Sequence, residues 1–178
     1  MKLTRDSMLR ALDCLDGKLE SPLRLIVGGG GAMLLAHHFS LSTSDIDAVP
    51  SGGLSLSELD VLVRKVATEL SLPVDWLNPF FSSFAHVLPS DYGDRLVRIC
   101  KLKHLTVEGL SKDDLLIMKC FAARQKDVVH ARALVRLGAN TQFVKKHVEG
   151  LSEKRIPGTD RALKFLSEIE SFFADQSE

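Results

Sequence analysis

Two aspartates, Asp45 and Asp47, flank a single isoleucine in the run Ser44-Asp45-Ile46-Asp47-Ala48-Val49. Side chains alternate along an extended strand, so both carboxylates point to one face while Ile46 and Ala48 point to the other. Like charges that close repel, and one acid would be driven toward its protonated form unless a cation lies between them. Magnesium suits such a pair, because it prefers carboxylate oxygens and keeps positions open for substrate phosphates. The competing reading is a solvated strand end with two exposed acids, and spacing alone leaves both standing. A third carboxylate, Asp75, lies in Leu72-Pro73-Val74-Asp75-Trp76-Leu77. A strand there, returning beside the first, would gather three acids able to hold metal and activate a hydroxyl. An edge strand would instead leave Asp75 facing water.

Upstream, Leu25-Ile26-Val27 runs into Gly28-Gly29-Gly30-Gly31-Ala32. A strand, a glycine turn and a helix in that order let backbone N–H groups approach an anion, and the helix dipole favours phosphate. Glycine turns after strands are common, so the motif gains weight only beside the aspartates.

These residues need elements to hold them. Apolar spacing predicts a helix over 4–19 with Thr4 as N-cap, a buried strand over 23–27 and a helix over 32–39. A polar turn at Ser42, Thr43 and Ser44 precedes a strand over 45–49 that Pro50 stops. A helix over 56–70 and a strand over 73–77 follow. Residues 78–94, rich in Pro, Ser and Phe, carry no clear signal. Strands over 95–100 and 104–107 suggest a hairpin about Lys101-Leu102-Lys103. From Ser111, with Asp114 three residues on as a helix start, the period is helical through Leu137, and Gly138 is a natural stop. Further helices begin at Thr141 and Thr159, the last with a stripe of Ala162, Phe165, Leu166, Ile169 and Phe172. The predicted class is α/β (α+β). A mixed β-sheet flanked by helices occupies residues 1–110, with a helical C-terminal region, 111–178, packed on it.

The glycine turn after a strand, the Asp-Ile-Asp that follows and the lone Asp75 together resemble the nucleotidyltransferase superfamily, of the DNA polymerase β-like fold. The downstream stretch Asp114-Leu115-Leu116-Ile117-Met118-Lys119-Cys120-Phe121-Ala122-Ala123-Arg124-Gln125-Lys126-Asp127 is similar to the Lys…Ala…Arg…Lys-Asp helix of its AbiEii-type branch, which includes toxins of toxin–antitoxin systems. The resemblance covers roughly residues 20–137. It implies Mg²⁺ and a nucleoside triphosphate held by Asp45 and Asp47, and phosphate contacts at Gly29 and Gly30, with Ser44 beside them. It further implies a third-carboxylate role at Asp75 in metal binding and acceptor activation. Lys119 and Asp127 fall on the branch's further active-site positions, Lys119 also neutralising phosphate. Were the helix continuous, Lys119, Ala123 and Asp127 would share a face; a surface ion pair is the competing reading of Lys119 and Asp127. The implied reaction moves a nucleoside monophosphate from a triphosphate to an acceptor hydroxyl on tRNA, protein or a small molecule, and a cognate antitoxin is the implied partner. Many relatives carry a basic residue shortly before the Asp-x-Asp, whereas Leu41-Ser42-Thr43-Ser44 supplies none. That departure keeps the alternative open: a non-catalytic nucleotide- or partner-binding protein on the same fold.

Composition narrows the rest. The 178 residues carry 23 basic and 23 acidic side chains and are 45% hydrophobic, which excludes disorder and a uniform polycation. Residues 95–136 nonetheless hold ten Lys or Arg against four acids, suited to a groove for triphosphate or RNA, or to a solvated helical face. Apolar runs fall far short of a bilayer span. The charged N-terminus reads as helix and not as a secretory signal. Three widely spaced cysteines (Cys14, Cys100, Cys120) suggest reduced, buried thiols in a cytoplasmic protein. A dinucleotide fold is set aside because its third glycine would fall on Met33, and no Walker A loop, paired-cysteine zinc site or nucleophile elbow is present. Adjacent His37 and His38 diverge around a helix and form no metal pair.

Overall fold

The computed structural model describes residues 2–39 and 43–175, which divide into two units: Met1–Ser83 with Arg95–Leu110, and Phe84–Asp94 with Ser111–Glu178. The polar turn read at Ser42 lies outside the described residues at that position.

In the first unit the elements are α1 (Arg5–Asp16), β1 (Leu23–Val27), α2 (Gly29–Leu35), β2 (Ile46–Pro50), α3 (Leu56–Leu70), β3 (Leu77–Asn78), β4 (Val97–Lys101) and β5 (Leu105–Gly109). They build a mixed sheet of order β3-β2-β1-β5-β4. β1 is antiparallel to β2 and parallel to β5, β2 is parallel to β3, and β4 is antiparallel to β5. The single residue Gly28 between β1 and α2 and the hairpin joining β4 to β5 are the short links; α3 makes the long crossover that a parallel β2–β3 pair requires.

Register assigns the two faces. Leu23, Leu25 and Val27 of β1, Ile46 and Ala48 of β2, and Leu105 and Val107 of β5 are all buried. The helices cover this face: α2 closes so tightly that a Cβ on Gly31 would press on Val27 and Ile46. Trp76, fully buried, donates its indole N–H to the Val63 carbonyl of α3 at 3.0 Å, and its own carbonyl accepts from Ile46 N at 2.7 Å. One residue, through its side chain and its carbonyl, thus ties the start of β3 to both helix and sheet. The alternate positions form a polar face with Asp47 and Asn78 at one end and Arg24, Glu108 and Arg98 at the other.

Helix ends depart from periodicity where local groups intervene. Thr4 caps α1 reciprocally with Ser7, as its type predicts. The helix stops at Asp16, not at 19, and the Asp16 carboxylate accepts the backbone N–H groups of His104 and Leu105, each at 2.7 Å. α2 starts inside the glycines at Gly29 and ends at Leu35, earlier at both ends than the predicted 32–39. The strand expected over 73–77 is corrected to Leu77–Asn78. Trp76 N donates to the Pro73 carbonyl at 3.1 Å, so Pro73-Val74-Asp75-Trp76 closes as a turn, a setting that suits both proline and aspartate.

The second unit holds α4 (Lys112–Ala122), α5 (Gln125–Arg136), α6 (Thr141–Glu153) and α7 (Thr159–Ala174). Most of the unassigned stretch becomes 3₁₀ turns, Phe80–Val87 and Tyr92–Arg95. Its residues 84–94 belong with the helices, where the His147 imidazole Nε2 lies 2.8 Å from the Val87 carbonyl. Leu115, Leu116, Leu134, Val144, Val148 and Leu166 form the core of this unit. The single helix expected over 111–137 is corrected to two. Ala123 takes the left-handed conformation (φ 44°, ψ 40°), and α5 restarts from Arg124. The three cysteines are free; Cys120 is buried, while Cys14 and Cys100 are only partly so, against the expectation for all three. Among the described residues no helix is long and apolar enough to cross a membrane.

Candidate active site

Asp47 sits where the glycine turn and the sheet meet. Its carbonyl accepts the Gly28 N–H at 2.8 Å, continuing the β1–β2 ladder into the turn. Its carboxylate lies directly over Gly29, so that any Cβ there would overlap it. Gly29 also has φ +56°, a conformation that L side chains rarely adopt. Gly29 is therefore demanded twice, by backbone conformation and by the acid. A Cβ on Gly28 would press on the Phe81 ring at 3.1 Å, so the turn is closed on that side as well.

Asp45 immediately precedes β2 and, two residues from Asp47, shares its face; both are half-buried, while Ile46 between them is fully buried. Its carboxylate has two side-chain donors. Asn78 Nδ2 donates to Oδ2 at 2.8 Å, and Thr43 Oγ1 donates to Oδ1 at 3.2 Å. Asn78 is placed by register, opposite Asp47 on the neighbouring parallel strand. Its own Oδ1 accepts the Phe80 N–H at 3.0 Å, which fixes the amide so that its NH₂ faces Asp45. Sequence reading missed Asn78 and Thr43. The signal was present in Trp76-Leu77-Asn78-Pro79, a buried polar residue ahead of a strand-ending proline, once the turn at 73–76 moves the strand downstream. Ser44 is exposed in the bend before Asp45.

Asp75 is not brought to this pair. It is exposed in the turn before β3, and among the described residues no three His, Cys, Asp or Glu side chains cluster as a metal site. The residue that the fold places beside Asp47 is an amide.

Lys119 and Asp127 belong to the helical unit, where they meet each other across the break between α4 and α5. Lys119 Nζ lies 3.0 Å from Asp127 Oδ1, with Lys119 6% and Asp127 0% exposed. Asp127 Oδ2 accepts from Arg124 Nε at 2.7 Å and from the Arg124 backbone N–H at 3.2 Å. The pair is thus buried, not the surface ion pair of the competing reading. Burial by itself would raise the Asp127 pKa, but the Arg124 hydrogen bond and the Lys119 charge outweigh it and bring it from 3.8 to about 2. His130 Nδ1 stands 3.9 Å from Asp127 Oδ1, and burial together with the Lys119 charge pushes its pKa below the ordinary value.

The mixed five-stranded sheet with its helices defines an α+β fold of the nucleotidyltransferase-like kind. The chain belongs to the family described as nucleotidyltransferase of unknown function (DUF6036), whose model matches residues 7–144. No curated protein and no solved structure matches the chain significantly.

Proposed function

We propose that the protein is a magnesium-dependent nucleotidyltransferase whose centre is the Asp45–Asp47 pair beside the Gly28–Gly29 turn. The observation that carries this reading is the Asp47 carboxylate packed over Gly29. It sets an acid and a backbone turn free of side chains at one point, the combination that a metal–triphosphate complex requires. The donor set fits magnesium, since one or two carboxylates suffice when substrate phosphates supply further ligands. Asp45 and Asp47 would hold the ion, which when bound offsets charge on the triphosphate.

The chain's own groups do the rest. Asn78 and Thr43 orient Asp45. Gly29 and Gly30 admit the phosphates close to the backbone, with Ser44 at the rim. The acceptor oxygen attacks the α-phosphorus, and the bond from that phosphorus to the bridging oxygen breaks. Pyrophosphate leaves with the electron pair, and the acceptor proton passes to solvent. Asp75 is assigned no step. Likeness to the AbiEii-type helix gives Lys119 and Asp127 a role in the transfer, Lys119 as a phosphate-neutralising cation. A role as the toxin of a toxin–antitoxin pair, with tRNA or protein as acceptor, rests on that likeness, and growth arrest on expression tests it.

Asn78 also favours a second reading. An amide where a third carboxylate would serve, with no basic residue before Asp45, suits a protein that binds a nucleotide without turning it over. Incubation with α-labelled nucleoside triphosphates and an RNA or protein acceptor panel separates the two. Magnesium-dependent label transfer, absent with chelator and in Asp45→Asn, supports the transferase. Magnesium-dependent triphosphate binding with no transfer to any acceptor supports the binding protein, and no nucleotide binding at all overturns both.

A further inference from the structure

The polar face of the sheet carries a second group of charges across β1 from the aspartates, on the side of β5 and β4. Glu108, 7% exposed, accepts from Arg24 Nε at 2.5 Å on one oxygen and from Arg98 Nη2 at 3.0 Å on the other. Register explains the grouping: Arg98 stands directly opposite Glu108, and Arg24 directly opposite Thr106, two residues away on the same strand. Strict alternation along β4 would send Arg98 and Lys101 to opposite faces, because they are three residues apart. A register shift between Arg98 and Cys100 reverses this, and Lys101 comes to stand opposite Thr106, on the face of Arg24 and Arg98.

Two cations therefore hold one acid, and a third stands on the same face, on a chain whose formal charge is zero. Burial opposes the charged form of Glu108, but the hydrogen bonds and charges of Arg24 and then Arg98 prevail and hold its carboxyl below the ordinary range. Glu108 spends its two oxygens on holding the guanidiniums, whose remaining N–H groups stay accessible: Arg24 is 44% and Arg98 54% exposed. Beside them opens a cavity of about 460 Å³ walled by Ser51, His104, Thr106 and the Gly52–Gly53 turn.

We infer that Arg24 and Arg98, braced by Glu108, form a phosphate-binding subsite together with Lys101. Guanidiniums held in a fixed fork match phosphate oxygens, and the glycine turn removes side chains from the mouth of the cavity. Arg24 precedes Gly28, the neighbour of Asp47, by four residues, which is about 13 Å along the strand. Arg98 and Glu108 stand level with Ile26 on the opposite side of β1 from β2, a position that suits a phosphate of the acceptor chain or of a second molecule. Phosphate binding stands on these residues alone; its use as the acceptor's anchor rests on the transferase reading.

The test uses the full chain with chelator present, so that metal at Asp45 and Asp47 plays no part. Inorganic pyrophosphate and a short single-stranded RNA are titrated separately into wild type, Arg98→Gln, Lys101→Gln and Glu108→Gln. Removing a cation is expected to weaken binding about tenfold, and removing the brace, which frees both guanidiniums, to weaken it as well. Lys101 is exposed and takes no part in the Glu108 network, so its variant reports on binding without disturbing the fold. With RNA the salt dependence falls by about 0.7 in log–log slope for each cation removed. Changes of these signs with RNA assign the subsite to a nucleic-acid backbone; changes with pyrophosphate alone assign it to a free phosphate compound. Affinities equal in all four proteins for both probes overturn the subsite and leave a cross-strand ion network, without bearing on Asp45 and Asp47.

Discussion

Asn78 donates its side-chain amide to Asp45 across the β2–β3 pairing at 2.8 Å, while its own oxygen is fixed by the Phe80 N–H. A carboxylate held this way presents its remaining lone pairs in a set direction, as groups behind metal ligands commonly do. Asn78→Ala is expected to leave the fold intact and to raise the magnesium concentration needed for half-maximal transfer by about tenfold or more. Asp75→Asn is expected to retain wild-type transfer. Magnesium titrations of both variants check this.

Gly29 and Gly150 set a contrast in what a methyl group does. At Gly29 a Cβ meets the Asp47 carboxylate and a φ of +56°, so Gly29→Ala is expected to cost about 2 kcal/mol or more and to displace the acid. At Gly150, inside α6, a Cβ meets nothing within 4 Å, so Gly150→Ala is expected to stabilise by roughly 0.5–1 kcal/mol. Denaturant unfolding of the two variants measures both signs.

The buried Asp127 gives a defined acid response. Its folded-state pKa, about 2, lies below the ordinary 3.8, so its contribution is complete above roughly pH 4 and is lost as pH falls toward 2. Asp127→Asn is expected to be less stable at neutral pH and to show a flatter stability profile between pH 4 and pH 2. Lys119→Met, which takes from a buried carboxylate its lysine partner, is expected to destabilise by about 3 kcal/mol. Unfolding curves across that pH range read both effects.

Ala123 holds a left-handed backbone conformation that costs an L residue about 1 kcal/mol. Ala123→Gly is expected to raise the unfolding midpoint by roughly 2–4 °C, seen by thermal unfolding.

Elements governed by local chemistry were legible in the sequence. The alternation of Asp45, Ile46 and Asp47, the N-cap at Thr4, and the start at Ser111 each depend on neighbours a few residues away. The break at Ala123 was not, because no glycine or proline marks it and the apolar period runs on. It is sustained by Asp127 reaching back to Lys119 and to the Arg124 backbone. Asp75 misled for a related reason: apolar neighbours suggested a strand, whereas the Pro73 carbonyl and the Trp76 N–H closed a turn. The shared face of Arg98 and Lys101 depends on a bulge that only strand pairing reveals.

The account turns on Asp47, and the most direct measurement is pyrophosphate released against nucleoside monophosphate transferred, in wild type and in Asp47→Asn of equal stability. Equal amounts of the two products in wild type, and a rate at least about a hundredfold lower in the variant, are expected. Transfer at an undiminished rate by Asp47→Asn would contradict the assignment of the centre.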